Sequence, residues 1–224
     1  MACVCMVFGH AVALAGDEGY VYQHALEDFL QPMDDYAIER IHPPEIIMIH
    51  FTSAVVDHPG DPFRLENIRR IFEQNRISIN YLIERDGTVR CWLPENRMAR
   101  HAGLGSFRDI HKYTNHMNYY SIGIELLAIG SQQDMKKYLT AEQYDRLDDS
   151  FKGYTQAQYA SLKALVEDLC SRYQIPADRE HVIGHQEYSP QKNDPGELFD
   201  WSRILELPPE ETNGENPDEK ANLS

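Results

Sequence analysis

A chain of 224 residues, 42% of them hydrophobic, is long enough to bury the core of one domain of ordinary size. Its net charge of −15 argues against a nucleic-acid partner, because binding phosphates requires a basic surface. No apolar run reaches the roughly 20 residues that a membrane-spanning helix needs, so we expect no integral membrane segment.

Residues 1–15 form an apolar segment that ends in Ala13-Leu14-Ala15 and is followed by the polar stretch 16–19. This A-x-A pattern resembles the end of a secretory signal peptide, although no Lys or Arg precedes the apolar run. We therefore expect export of a protein that starts after Ala15. The alternative is a buried N-terminal element in a cytoplasmic protein. Residues 16–43 are expected to form an arm that leads into the domain.

The first half of the domain predicts a strand, a helix and a hairpin. Residues 46–52 form a continuous apolar run of strand length, which is typical of a strand buried on both faces. Apolar residues recur at helical spacing over 65–72, which predicts an amphipathic helix. Strand-like runs at 78–84 and 88–93 flank Asp86-Gly87, and this dipeptide is a strong signal for a β-hairpin turn.

Two stretches that look like loops surround a second buried strand. Residues 97–120 predict a long loop with three histidines, and a loop of that length in a compact domain is usually functional or disordered. Residues 121–127 predict a buried strand that contains one carboxylate, Glu125. Residues 130–154 are polar and charged, so we expect an excursion over the surface.

The last part of the domain begins with a helix predicted from Thr155 through Arg172, because Thr155 and Gln158 form a capping-box pattern. A short strand is predicted at 181–183, and a final helix near Ile204.

Strands that are interleaved with helices predict an α/β fold. We expect a single domain over residues 44–207, with a central mixed β-sheet flanked by helices. Residues 208–224 are acidic and almost free of apolar residues, which predicts a disordered tail.

Residues 184–196 bring His185, Lys192 and Asp194 together within ten residues of sequence. Proline and glycine interrupt this stretch, which predicts a shaped loop and not a helix or a strand. His and Asp are good zinc ligands, and a catalytic zinc usually takes three protein ligands and leaves a fourth position for water. The alternative is an ordinary solvated turn, so a third ligand would have to come from elsewhere in the chain.

Two ionisable groups occupy apolar strand positions, His50 and Glu125. His50 could be a core histidine satisfied by one hydrogen bond, or it could be the third ligand. A buried unpaired carboxylate is costly, so Glu125 needs a structural salt bridge or a chemical role. With zinc at one end of the sheet, Glu125 could carry a proton from water to a leaving nitrogen, and Lys192 could oppose an oxyanion. A metal ion, a proton-transfer group and a cation that opposes the oxyanion are the groups that an amide hydrolase needs.

Several segments, in a fixed order along the chain, carry a family resemblance. They are I-x-I-H-F-T at 47–52, I-N-Y-L-I-E-R-D-G-T-V at 79–89, R-H-A-G at 100–103, S-I-G-I-E-L at 121–126, and G-H-Q-E-Y-S-P-Q-K-N-D-P-G at 184–196 with F-D-W at 199–201. This order resembles the zinc-dependent N-acetylmuramoyl-L-alanine amidases, a family that includes bacterial peptidoglycan-recycling enzymes, phage amidases and the animal peptidoglycan recognition proteins. The resemblance covers about residues 44–204.

The resemblance implies that zinc is held by His50, His185 and Asp194. It implies that Glu125 and Lys192 are the catalytic residues. The combination of a strand glutamate with an aspartate ligand is similar to the bacterial branch of the family.

The resemblance also implies a substrate groove. His101 lies in the family's H-A-G segment, which lines this groove, and Arg100 and Asn118 lie on the same loops and are candidates for contact with the glycan or the stem peptide. An ordinary surface role is the alternative for each of them. The phage and animal branches have a tyrosine at the position where this chain has Ile79.

The function implied by the resemblance is zinc-dependent hydrolysis of the amide between N-acetylmuramic acid and L-alanine, in peptidoglycan or muropeptides. One alternative is a non-catalytic module of the same fold that binds peptidoglycan, and another is a zinc amidohydrolase for a different amide. We expect a monomer. Once residues 1–15 are removed, the remaining cysteines are Cys91 and Cys170, which could form a disulfide or remain buried thiols.

Overall fold

Within residues 38–206, which are those that the computed structural model describes, seven strands form two sheets. The strands are β1 (Ile38–Glu39), β2 (Ile46–Thr52), β3 (Tyr81–Ile83), β4 (Val89–Cys91), β5 (Arg97–Met98), β6 (Ser121–Leu127) and β7 (Val182–Gly184). The larger sheet has the order β4-β3-β6-β2-β7, and β1 pairs with β5 in a small second sheet. Only the β3–β4 pair of the larger sheet is antiparallel. The predicted central mixed sheet is therefore confirmed.

Five α-helices accompany the sheets in the described part of the chain. They are α1 (Leu65–Asn75), α2 (Gln132–Met135), α3 (Ala141–Asp145), α4 (Gln156–Tyr173) and α5 (His185–Tyr188). Four short 3-10 helices lie at His111–Tyr113, Met117–Tyr119, Asp149–Phe151 and Trp201–Arg203. None of the helices in residues 38–206 combines the length and the apolar character needed to cross a bilayer.

Strand β2 is an interior strand of the larger sheet, and its apolar side chains are buried on both faces. Ile47 and Ile49 pack in the cluster that contains the buried face of α4. Ile46 and Met48 pack on the opposite face, among side chains of the 97–120 segment. Side chains alternate between faces along a strand, so His50 lies on the same face as Ile46 and Met48.

Helices cover both faces of the central sheet, as the sequence predicted. Helix α4 begins with the expected capping box. The Thr155 hydroxyl accepts from the backbone N–H of Gln158, and the Gln158 side-chain oxygen accepts from the backbone N–H of Thr155. The Gln158 amide also donates to the carbonyl oxygens of Ile83 and Leu127, which fixes the helix to β3 and β6. Helix α1 packs on the other face through Phe72 and its neighbours.

The hairpin is also confirmed, since β3 and β4 pair across the predicted Asp86-Gly87 turn. Gly87 has a φ of +87°, which a residue with a side chain rarely adopts. Within residues 38–206, Cys91 and Cys170 are buried free thiols, so they do not pair with each other.

Three local expectations were wrong. The segment 184–196 is not entirely loop, because α5 forms one helical turn at its start. The segment 130–154 is not a simple surface excursion, because it folds into short helices that bury Tyr144 and Leu147 against the domain. The predicted last helix near Ile204 is a single 3-10 turn.

Several other predictions fall on the chain ends. The proposed signal peptide, most of the arm at 16–43 and the tail at 208–224 lie outside the described residues. They stay predictions.

Candidate metal centre and active site

The central strands bring the ionisable residues to one edge of the sheet. Strands β2 and β6 are parallel, and their register places His50 directly opposite Glu125. Strand β7 pairs with the other side of β2 and ends at Gly184, so His185 follows at the same edge. Open α/β sheets bind ligands outside the carboxyl ends of their parallel strands. The candidate site lies at this place in the fold.

Three donor atoms converge at this edge. His50 Nδ1 lies 2.7 Å from Asp194 Oδ2 and 3.1 Å from His185 Nδ1, and His185 Nδ1 lies 2.9 Å from the same Oδ2. Both imidazoles are buried, and the Asp194 side chain is 15% exposed. Two imidazole nitrogens and one carboxylate oxygen are a donor set typical of zinc. The structure therefore brings together the three residues that the sequence selected as ligands.

The outer hydrogen bond of His185 fixes the ring in the tautomer that a metal requires. Its Nε2 lies 2.9 Å from the carbonyl oxygen of Ala102. A carbonyl oxygen only accepts, so Nε2 carries the proton and donates it. In the neutral ring, Nδ1 then presents a lone pair to the other two donors. The outer nitrogen of His50 also has a partner, since its Nε2 lies 2.9 Å from Nδ1 of His101.

The loop that carries Asp194 is braced by helix α2. The Asn193 amide donates to the backbone oxygen of Asp134 at 3.0 Å, and the backbone N–H of Glu197 donates to Asp134 Oδ2 at 3.2 Å. Gly196 has a φ of +81°, and a Cβ at this position would clash with the Asp134 carboxylate. The sequence analysis missed Asp134, because a buried aspartate in a polar stretch cannot be told from an exposed one without the tertiary structure.

The pKa values of His50 and Asp194 favour the protonation states that metal binding needs. Burial and the neighbouring His185 ring lower the pKa of His50 to about 4, against the opposing effect of Asp194. Burial alone would raise the pKa of Asp194, but hydrogen bonds with His185 and His50 hold it well below its ordinary value. Near neutral pH, His50 is therefore a neutral imidazole and Asp194 a carboxylate, which are the forms that bind metals.

Glu125 has the properties of a proton-transfer group. It is only 7% exposed, and within residues 38–206 its Oε2 has no hydrogen-bond partner. Burial and the negative charge of Asp194 raise the pKa of Glu125 well above its ordinary value, although Lys192 acts in the opposite direction. The described residues form no salt bridge with Glu125, so the alternative of a structural ion pair finds no support there.

The three donor residues line a cavity of about 210 Å³ together with Glu125 and Lys192. Lys192 is exposed, so its ammonium can reach a molecule that enters. Val56 and Tyr138 also line the cavity and are 58% and 60% exposed. These two side chains give the rim an apolar surface that the sequence analysis did not identify.

The structure places the three candidate substrate-binding residues in different positions. His101 lines the cavity, but it is buried behind His50. The Asn118 side chain is turned toward the backbone, and its Oδ1 accepts from the N–H groups of His101 and Ala102 at 3.1 and 2.8 Å. The backbone N–H of Arg100 donates to the Ser78 hydroxyl at 2.7 Å. Contact of any of them with substrate stays a prediction.

Comparison with known proteins connects this geometry to one family. The model of the family described as N-acetylmuramoyl-L-alanine amidase matches residues 40–197. A relative from Citrobacter freundii, the 1,6-anhydro-N-acetylmuramyl-L-alanine amidase AmpD, is 35% identical over 133 residues. The match covers 59% of this chain and 57% of that relative.

Two solved structures are similar to this chain. The crystal structure of a selenomethionine derivative of AmpD has a TM-score of 0.55 and 25% identity, and the match covers 82% of this chain and 94% of the other. AmiD from Escherichia coli, in complex with its substrate anhydro-N-acetylmuramic acid-L-Ala-D-gamma-Glu-L-Lys, has a TM-score of 0.54 and 26% identity. That match covers 73% of this chain and 56% of AmiD.

Proposed function

This chain belongs to the N-acetylmuramoyl-L-alanine amidase family, and on that premise we propose that it hydrolyses the amide between N-acetylmuramic acid and L-alanine with zinc as its cofactor. The observation that carries the proposal is the convergence of His50, His185 and Asp194 beside the buried Glu125.

The residues present fit a catalytic zinc ion. His50, His185 and Asp194 would hold it through two nitrogens and one oxygen, and three protein ligands leave a position for water. The two rings direct the same atom, Nδ1, toward one carboxylate oxygen, while their Nε2 atoms are engaged elsewhere. The unpartnered Oε2 of Glu125, among the described residues, supports a site built around a reacting molecule.

The chemistry divides between the ion and the chain. A bound zinc ion supplies a Lewis acid, which acidifies water toward a pKa of about 7 and polarises a carbonyl group. Glu125 accepts the proton of the attacking water and returns it to the nitrogen of L-alanine as the C–N bond breaks. Lys192 opposes the negative charge that develops on the carbonyl oxygen. The products are a muramyl lactyl carboxylate and a peptide with a free amino group.

We propose a muropeptide that carries the 1,6-anhydro form of N-acetylmuramic acid as the substrate. The support is that the relative AmpD is a 1,6-anhydro-N-acetylmuramyl-L-alanine amidase and that AmiD binds an anhydro-N-acetylmuramic acid peptide as its substrate. The exposed side chains of Val56 and Tyr138 would contact apolar faces of the sugar or the peptide, because they lie at the rim of the cavity.

The compartment decides whether intact murein is also a substrate. The sequence predicts export, and an exported enzyme would meet murein itself. The cytoplasmic alternative would meet only imported fragments. N-terminal sequencing of the native protein separates them, because export predicts a mature terminus at or near Gly16, whereas a cytoplasmic enzyme keeps the residues that precede Gly16.

The proposed activity is tested by adding zinc to chelator-treated protein and incubating it with anhydro-N-acetylmuramic acid-L-Ala-D-gamma-Glu-L-Lys. We expect hydrolysis that depends on one bound zinc ion per chain, and none with the His50→Ala variant as control. Binding of the compound without hydrolysis, in protein that carries zinc, would reject the amidase and favour the non-catalytic binding module.

A further inference from the structure

The ring of His101 lies between the metal ligand His50 and the hydroxyl of Ser121. His101 Nδ1 is 2.9 Å from His50 Nε2, and His101 Nε2 is 3.1 Å from Ser121 Oγ. The Ser121 hydroxyl in turn donates to the backbone oxygen of Met117 at 2.8 Å. Since His101 is only 7% exposed, these contacts are formed in a buried environment.

The direction of each hydrogen bond in this series of four residues follows from the last acceptor, the backbone oxygen of Met117. The carbonyl oxygen of Met117 can only accept, so the proton of the Ser121 hydroxyl points toward it. Ser121 Oγ must then accept from His101, which places the His101 proton on Nε2. The neutral ring of His101 consequently has a lone pair on Nδ1, and this nitrogen accepts from His50 Nε2–H. His50 is left with its own lone pair on Nδ1, the atom that faces Asp194.

We propose that His101, oriented by Ser121, is a positioning residue that holds His50 in the only neutral tautomer able to bind the metal. The inference rests on the proposed zinc site. The competing tautomer has its proton on Nδ1, where Asp194 Oδ2 lies 2.7 Å away and would accept it. Without an acceptor behind Nε2, the carboxylate would draw the proton to Nδ1, and zinc would have to displace it.

The fold builds a fixed place for this ring. Strand β6 has a glycine at position 123, and a Cβ there would lie only 2.7 Å from the His101 ring. The Asn118 side chain binds the backbone N–H groups of both His101 and Ala102. Ala102 supplies the carbonyl that orients the second ligand, His185. One short segment therefore orients both histidine ligands.

The first test measures zinc affinity by competition with a chromophoric chelator, a readout independent of turnover. His101→Leu removes the acceptor, and we expect its zinc affinity to fall about 10- to 100-fold, the usual effect of losing a partner behind a ligand. His101→Gln keeps an acceptor and a donor in the same order, so its affinity should stay within a few-fold of wild type. His116→Leu is the matched control, because His116 is an exposed histidine of the same segment. Equal zinc affinity of His101→Leu and wild type would overturn the inference. A loss of zinc affinity in His101→Gln as large as that in His101→Leu would also overturn it.

The second test reads the tautomers directly, in zinc-free wild-type protein labelled with nitrogen-15 in histidine. Two-bond proton–nitrogen correlation spectra should show the proton on Nε2 of both His50 and His101. In Ser121→Ala, which removes only the hydroxyl, His50 should show more of the Nδ1–H form. A proton on Nδ1 of either ring in the wild type would overturn the inference. If the wild type itself bound no zinc, the proposed function would fail. Tight zinc binding that His101→Leu leaves unchanged would reject only this inference.

Discussion

Replacing Glu125 with glutamine separates proton transfer from metal binding, because the amide has nearly the same shape and cannot accept a proton. Glu125 lies opposite His50 in the sheet and is not one of the three ligands, so we expect Glu125→Gln to keep one zinc ion per chain. Loss of a general acid–base group lowers turnover about 10²- to 10⁴-fold, which corresponds to about 3–5 kcal/mol in the activation barrier. Turnover within a few-fold of wild type would leave the proton-transfer role without support.

The same substitution has a stability consequence that depends on pH. In the zinc-free protein, burial and Asp194 raise the pKa of Glu125 well above its ordinary value of 4.5. The folded state then binds more protons than the unfolded state, so the wild type loses stability as pH rises from about 4.5 through the folded pKa. Glutamine does not titrate. The variant should therefore gain stability relative to wild type over this range, by up to about 1.4 kcal/mol per pH unit.

Urea unfolding in the presence of a chelator, at several values between about pH 5 and about pH 8, measures this difference. Titrating groups that do not interact with Glu125 are common to both proteins and cancel in the comparison. Glu142→Gln, at an exposed glutamate, is the control and should show no such trend. The reasoning would be refuted if the unfolding free energy of Glu125→Gln, relative to that of wild type, stays constant or falls as pH rises.

Four further substitutions test the rest of the site. His50→Ala and His185→Ala should each lose stoichiometric zinc, measured by atomic emission, and keep the far-ultraviolet circular dichroism of the folded protein; zinc retained in both would remove the ligand assignment. Lys192→Ala should keep zinc and lose turnover mainly in kcat, because the charge it opposes develops in the transition state, and a change confined to KM would contradict that role. Asp134→Ala removes the acceptor for Glu197 N–H and part of the α2 cap, so thermal unfolding should show a loss of about 1–3 kcal/mol; a melting curve that matches wild type would mean that α2 does not brace the Asp194 loop.

The sheet could be predicted where local sequence determines structure. The runs at 46–52 and 121–127 are mainly apolar, and they form two adjacent interior strands of the sheet. The turn at Asp86-Gly87 and the cap at Thr155 depend on a few neighbouring residues, and both formed as expected. Sequence alone could not give the register that sets His50 opposite Glu125, because pairing is decided by the packing of whole strands.

The missed features depend on contacts between distant parts of the chain. The segment 130–154 is polar, yet it packs on the domain, where it buries Tyr144 and Leu147 and where the guanidinium of Arg85 donates to the backbone oxygens of Ser150 and Gly153. Helix α5 is one turn long, and the Glu187 carboxylate that accepts from Gly184 N–H at 2.7 Å secures its start. Such a short helix gives no periodic signal, so proline and glycine dominated the interpretation of that segment.

The roles of the candidate residues could be predicted only in part. The family resemblance selected His50, His185 and Asp194, and the structure brings their donor atoms together. The resemblance also selected His101, but it did not indicate which ring nitrogen of His101 donates and which accepts. These roles follow from hydrogen bonds with Ser121 and His50, which lie 20 and 51 positions away in the sequence.

The most direct test of the proposed reaction is hydrolysis of the anhydromuropeptide by the zinc-loaded protein in water enriched with oxygen-18. If the attacking water adds to the lactyl carbonyl, mass spectrometry will find one heavy oxygen in the carboxylate of the anhydro-N-acetylmuramic acid product. The released peptide will begin with an unlabelled L-alanine that has a free amino group. Heavy oxygen in the peptide, cleavage at another bond, or intact substrate would contradict the proposed hydrolysis of the amide between the sugar and L-alanine.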